Sequence, residues 1–140
     1  MANSVQVRDY MMDRPITVKP DMTIAEAAQI IITNKISGAT VVDADDKVVG
    51  MLSELDCLKN VAHAMYNEGS PGSALVSDVM TTEVEVNHPS DDIVKVAESM
   101  LDHKHRRRPV VVNGKLVGQL TCRQLLKAIK DFGSVAHPKR

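Results

Sequence analysis

Tryptophan is absent from this 140-residue chain, and phenylalanine occurs once and tyrosine twice. With aromatics at 2% of residues, the stacking platforms that hold single-stranded nucleic acid are missing, and the core has to be aliphatic. Charge of one sign is also missing. Seventeen Lys and Arg against eighteen Asp and Glu leave a net charge of −1, so there is no concentrated positive field to attract DNA or an anionic membrane. Any basic site must be local, and no nucleic-acid partner is expected. The two cysteines, Cys57 and Cys122, lack metal-ligand spacing. Without a signal peptide ahead of them they read as thiols in a reducing cytoplasm, small buried hydrophobes and no disulfide framework. No apolar run approaches the roughly 20 residues of a membrane-spanning helix, so a soluble protein without a membrane partner is expected.

What the chain does have is a repeat. VRDYM at 7–11 returns as VSDVM at 76–80, Pro20 as Pro89, and Ile24, Ala28 and Val41 as Ile93, Ala97 and Val110, all 69 residues apart. After Val110 the spacing falls to 68, because the turn ADDK at 44–47 shortens to NGK at 113–115.

Each copy parses alike. Thr23, with Glu26 three residues on, opens a helix whose apolar face is Ile24, Ala27, Ala28, Ile31 and Ile32; Asp92 opens its counterpart with Ile93, Val96, Ala97, Met100 and Leu101. Two strands follow, ATVVD and KVVGML in the first copy, RPVVV and KLVGQL in the second, the latter pair joined by Asn-Gly, the strongest short hairpin signal. A second helix starts at Ser53 or Thr121. It carries Leu55, Leu58, Val61, Ala62 and Met65 in one copy, and Leu125, Ala128, Ile129 and Phe132 in the other. A short extended piece opens each repeat, PITVKP or EVEVNHP. The predicted fold is α+β: two β-α-β-β-α repeats, since a lone unit of about 60 residues hides only about 60% of its unfolded surface. The predicted limits are 1–66 for the first repeat, 67–75 for a Gly, Pro and Ser-rich linker, 76–132 for the second repeat and 133–140 for a flexible tail. Apolar helix faces left over would suit a symmetric homodimer.

V-x-D-x-M before each first strand, the strand openings ISGATVVD and RRRPVVV, and G-x-L-[ST]-x-x-[DQ] at Gly50 and Gly118 resemble the tandem CBS-domain pair, or Bateman module, over residues 7 to about 132. The resemblance implies repeats packed sheet to sheet about a pseudo-two-fold axis. It also implies a regulatory, energy-sensing module without catalysis, which binds an adenosine-containing ligand in clefts between the repeats and acts on an unidentified protein.

The residues bear on that expectation. In GMLSELD, Gly50 permits close backbone approach to a ligand, Ser53 stands at a helix N-terminus whose N–H groups suit phosphate, and the Asp56 carboxylate can accept two ribose hydroxyls. Ser-x-x-Asp also resembles a capping pair, and Thr121-x-x-Gln124 a capping box, so local sequence leaves cap and ligand both open. In HKHRRRPV, arginine can grip phosphate bidentately, and strand alternation aims Arg107 to the face opposite Arg106 and Arg108. Apart from Arg107, the run His103, Lys104, Arg106 and Arg108 reads as a solvated helix end.

By the resemblance, Arg107 points into the cleft, and Gly38 is its counterpart. The main cleft would comprise Met51, Ser53, Asp56, Val84, His105, Arg106 and Arg107. A weaker second cleft would comprise Ile16, Ile36, Ser37, Gly38, Thr121 and Gln124, without the aspartate or the arginine. One competent nucleotide site per chain is expected, for AMP, ADP or ATP, with S-adenosylmethionine or NAD(H) as further adenosyl candidates and no covalent cofactor or metal. The rival readings are a dimeric interaction scaffold with no nucleotide, and an enzyme. The five histidines, His63, His88, His103, His105 and His137, pair with no nucleophile in a catalytic motif.

Overall fold

The computed structural model describes residues 5–67 and 69–136; His137 and the rest of the tail at 137–140 lie outside the described residues. In chain order a 3-10 turn (Val7–Asp9) is followed by β1 (Met12–Asp13), β2 (Thr17–Val18), α1 (Ile24–Thr33), β3 (Gly38–Val42), β4 (Val48–Ser53) and α2 (Glu54–Tyr66). The second half contains α3 (Val76–Val79), α4 (Ile93–His103), β5 (Arg107–Val112), β6 (Lys115–Thr121) and α5 (Cys122–Ala136). Residues 133–136, expected in a flexible tail, continue the α5 helix.

The chain forms two compact units, a central one of Pro15–Val84 and a split one of Met1–Arg14 with Glu85–Arg140. These limits cut across the repeats because the segment opening each repeat belongs to the unit built by the other. Met12 pairs with Gln119 of β6, and Thr81 exchanges two 2.9 Å backbone hydrogen bonds with Met51 of β4. VRDYM and VSDVM are therefore short helical turns that dock a following residue on a sheet edge.

In the central unit β2 lies parallel to β3, and β3 antiparallel to β4. Its core is Val18, Ile24, Ala27, Ile31, Ala39, Val41, Leu52, Cys57 and Val76. Thr23 and Glu26 form the expected capping box on α1. The stretch from Gly72 to Leu75, read as linker, closes the same helix end: the Gly72 and Ala74 carbonyls accept from the Ala25 and Ile24 amides at 3.0 and 2.8 Å. Helix α1 thereby has its orphan N–H groups satisfied.

In the split unit the sheet order is β1-β6-β5, over a core of Val7, Ile93, Val96, Met100, Val110, Leu120 and Ala128. Asn113 and Gly114 both have positive φ, as a type I′ hairpin turn requires. EVEVNHP forms no strand of two or more residues. It makes one parallel bridge, Asn87 to Val110, where the first copy pairs both Thr17 and Val18. The partner of the extra rung is Thr40 in β3, and its counterpart in β5 is Pro109, which has no amide hydrogen to extend the ladder.

The second helices depart from expectation. Of the stripe predicted on α2, Leu55, Leu58, Ala62 and Met65 are exposed; the inward face is Asp56, Cys57, Val61 and Ala64. Ile32 and Leu101, predicted for the α1 and α4 faces, are exposed as well, and so is Ile129 on α5.

Candidate functional site

Ser53 ends β4 and caps α2. Its hydroxyl accepts from the Asp56 amide at 3.0 Å, and Asp56 Oδ2 accepts from the Ser53 amide at 3.0 Å, a reciprocal capping box. The capping alternative is thus realised, but with one carboxylate oxygen. Among the described residues Asp56 Oδ1 receives no hydrogen bond, and the side chain is half-buried. At the matching cap of α5, the Gln124 Oε1 accepts from both the amide and the hydroxyl of Thr121, and Gln124 is only 6% exposed. The two copies differ in accessibility as well as in chemistry.

Within the central unit Gly38 lies directly across from Ser53, and the Ser37 carbonyl accepts from the Glu54 amide at 2.8 Å, so Ser37 and Gly38 sit beside the α2 cap. Gly38 is buried and a Cβ there would stand 2.8 Å from the Leu52 carbonyl oxygen. Met51 and Ile36 are half-buried, Ile16 is exposed, and Val84 ends the unit half-buried outside any strand. Within the split unit the same register places Arg107 across from Thr121. Arg107 is half-buried and Arg106 exposed.

Gly50 does not face open space for a ligand. A Cβ there would come within 2.5 Å of Met80 Sδ and 3.0 Å of the Thr81 carbonyl, and at Gly118 within 2.7 Å of Met11 Sδ. Each motif glycine accepts the methionine that closes V-x-D-x-M. Cys57 is buried, and burial followed by the Asp56 charge raises its thiol pKa, which disfavours a thiolate nucleophile. Cys122, expected to be buried, is exposed at the start of α5. No group of three or more potential metal ligands occurs among the described residues. A cavity of about 530 Å³ in the central unit is lined by Lys19, Asp21, Asp43 and Ser77 among others, and none of the candidate residues lines it.

The main departure is Arg108. Read from sequence as a solvated cation, it is 2% exposed. Its Nε donates to His105 Nδ1 at 3.1 Å and its Nη2 to Ser99 Oγ at 2.9 Å. His103 stays exposed in the last turn of α4, as expected of a solvated helix end, with its Nδ1 2.8 Å from the Ser99 carbonyl and its Nε2 3.8 Å from Glu85. The signal lay in the repeat itself, since Ser99, His103, His105 and Arg108 replace Ile30, Asn34, Ile36 and Ala39 of the first copy.

Two α+β repeats, each ending in a helix that opens at a Ser or Thr paired with a side chain three residues on, define a tandem-repeat protein with matched helix starts. Residues 7–63 and 76–131 each match the model of the CBS domain, and the chain belongs to that family. The chloroplastic CBS domain-containing protein CBSX1 of Arabidopsis thaliana is 30% identical over 79% of this chain and 57% of its own length. The structure of CBSX2 in complex with AMP is 28% identical, with a TM-score of 0.80 over 93% of this chain and 99% of that one. The CBS domain pair of protein MJ0100, in complex with 5′-methylthioadenosine and S-adenosyl-L-methionine, is 26% identical, with a TM-score of 0.74 over 89% and 95%. The chain spans about half the length of the first curated relatives it matches, and 24% of an inosine-5′-monophosphate dehydrogenase of Aquifex aeolicus, 33% identical over 86% of this chain. Among the described residues no helix is long and apolar enough to cross a membrane.

Proposed function

We propose that this chain is a non-catalytic, cytoplasmic regulatory module that binds one adenosine-containing ligand of the AMP, ADP or ATP class and passes its occupancy to a partner protein. Ser53 and the N-terminus of α2 would serve the phosphate and Asp56 the ribose. The carrying observation is the Asp56 carboxylate, which caps α2 through Oδ2 and keeps Oδ1 unengaged among the described residues, whereas Gln124 is buried and consumed by its own cap. A ribose diol needs an acceptor that is still available, and of these two matched side chains Asp56 offers one. The AMP held by CBSX2 and the adenosyl ligands held by MJ0100 support the ligand class.

The test is calorimetry and thermal shift with AMP, ADP and ATP. One site per chain is expected. At 100 times the dissociation constant the ligand adds about 2.7 kcal/mol of apparent stability, a melting-temperature rise of several degrees. Asp56→Ala should lose binding by tenfold or more, and Gln124→Ala should leave it intact. Two equivalent sites, or undiminished affinity in Asp56→Ala, would overturn the reading. No shift with any adenylate would leave the interaction-scaffold reading in its place.

A further inference from the structure

Ser99, His103, His105, Arg108 and Glu85 form a polar cluster in the split unit that runs from buried Arg108 to exposed His103 and Glu85, at positions where the central unit is largely apolar. Arg108 is fully buried on the core face of β5, with Leu120 across from it. Among the described residues it meets no carboxylate within ion-pair distance. A buried guanidinium is stable only when its donors are satisfied, and it stays charged at any pH at which a protein folds. Its acceptors here are neutral: the Ser99 hydroxyl and the His105 ring.

The tautomers follow from the donors. Arginine only donates, so His105 Nδ1 accepts and must carry no proton; His105 is the neutral Nε2–H form. A carbonyl only accepts, so His103 Nδ1, 2.8 Å from the Ser99 oxygen, carries the proton. His103 Nδ1 therefore cannot also accept from Arg108 Nη2 at 3.5 Å. His105 is the ring on which the Arg108 Nε depends.

We infer that His105 and Arg108 form an acid-sensitive latch on the start of β5, closed while His105 is neutral and opened when its Nδ1 takes a proton. Protonation removes the acceptor and sets a second cation 3.1 Å from a buried one. The titratable and charged groups facing His105 are Arg108 from β5, His103 from the end of α4 and Glu85 from the preceding segment; the rings of His103 and His105 stack with centroids 5.2 Å apart. Burial first, then Arg108 and His103, hold the His105 pKa below the ordinary histidine range, against a smaller opposing effect of Glu85. A depressed folded-state pKa stabilises the fold at pH above the unfolded value, about 6.5. That contribution is lost as pH falls from there through the folded value. The latch rests on this cluster alone and stands whether or not the chain binds a nucleotide.

The experiment compares melting temperature from pH 7.5 to pH 5.5 in the full chain and in His105→Asn, whose side-chain oxygen replaces Nδ1 as an acceptor that cannot titrate. The other histidines contribute to both proteins, so the difference isolates His105. The wild type should lose roughly 3–6 °C more than the variant over this range. Nitrogen-15 NMR of the wild type reads the tautomer directly, including if the variant does not fold. An equal pH slope in the two proteins, or a proton on His105 Nδ1 at pH 7.5, overturns the inference.

Discussion

A methyl group added at position 38 meets main chain: the Leu52 oxygen at 2.8 Å and the Ser53 Cα at 3.1 Å. At position 50 it meets mainly the Met80 thioether, which has rotatable bonds and can swing aside. Strands β3 and β4 cannot part to admit a methyl without breaking the pairing that carries the Ser53 cap. Gly38→Ala is therefore expected to cost about 2–3 kcal/mol and Gly50→Ala about 1 kcal/mol. Urea denaturation of the two variants checks this, and equal or reversed costs would contradict the packing described. The comparison also separates two meanings of glycine in the repeat: one accommodates the neighbouring strand, the other a methionine. Sequence alone offered a third, room for a ligand at Gly50, because a missing Cβ does not say what fills its place.

At the scale of elements, the segment that reads as a spacer is structural. Gly72 has φ of +82°, and a Cβ there would stand 2.9 Å from the Ala25 Cβ at the start of α1. Gly114 has φ of +81° with nothing within 4 Å. Both alanine variants carry the backbone strain, about 1 kcal/mol, but only Gly72→Ala also pushes on a helix whose first amides depend on that backbone. Thermal unfolding should show Gly72→Ala losing about 2–3 kcal/mol, clearly more than Gly114→Ala; equal losses would mean that the segment is a loose linker after all. The same contrast shows what was legible. The capping boxes at Thr23 and Ser53, the Asn113-Gly114 hairpin and the paired strands were written locally, in spacing and in residues with one dominant conformational use. The docking of Gly72 and Ala74 on α1, and of Met12 on β6, was not, because it depends on partners distant in sequence. The Arg108 cluster falls between these cases. Its residues read as a charge run one at a time, and as a coordinated replacement only when each is set against its counterpart in the first copy.

For the whole molecule, the question is what covers α2. Leu55, Leu58 and Met65 recur at helical spacing on a face that is 63–71% exposed at these residues, while Cys57 and Val61 take the inward positions. A soluble monomer rarely leaves such a stripe open, and a net charge of −1 gives little repulsion between copies. The sequence expectation of a homodimer gains its physical content here, because an isologous contact presents the same stripe from both chains and needs no second partner surface. Stable interfaces bury about 800 Å² per partner, more than one helix stripe of this length usually supplies, so exposed residues flanking the stripe are expected to contribute. Sedimentation equilibrium at micromolar concentration should give twice the 15.3 kDa of one chain. Leu55→Glu combined with Leu58→Glu should give one chain with unchanged circular dichroism, since both side chains are exposed and neither supports a core. A wild-type monomer, or a dimer that survives both charges, would assign the stripe to another partner.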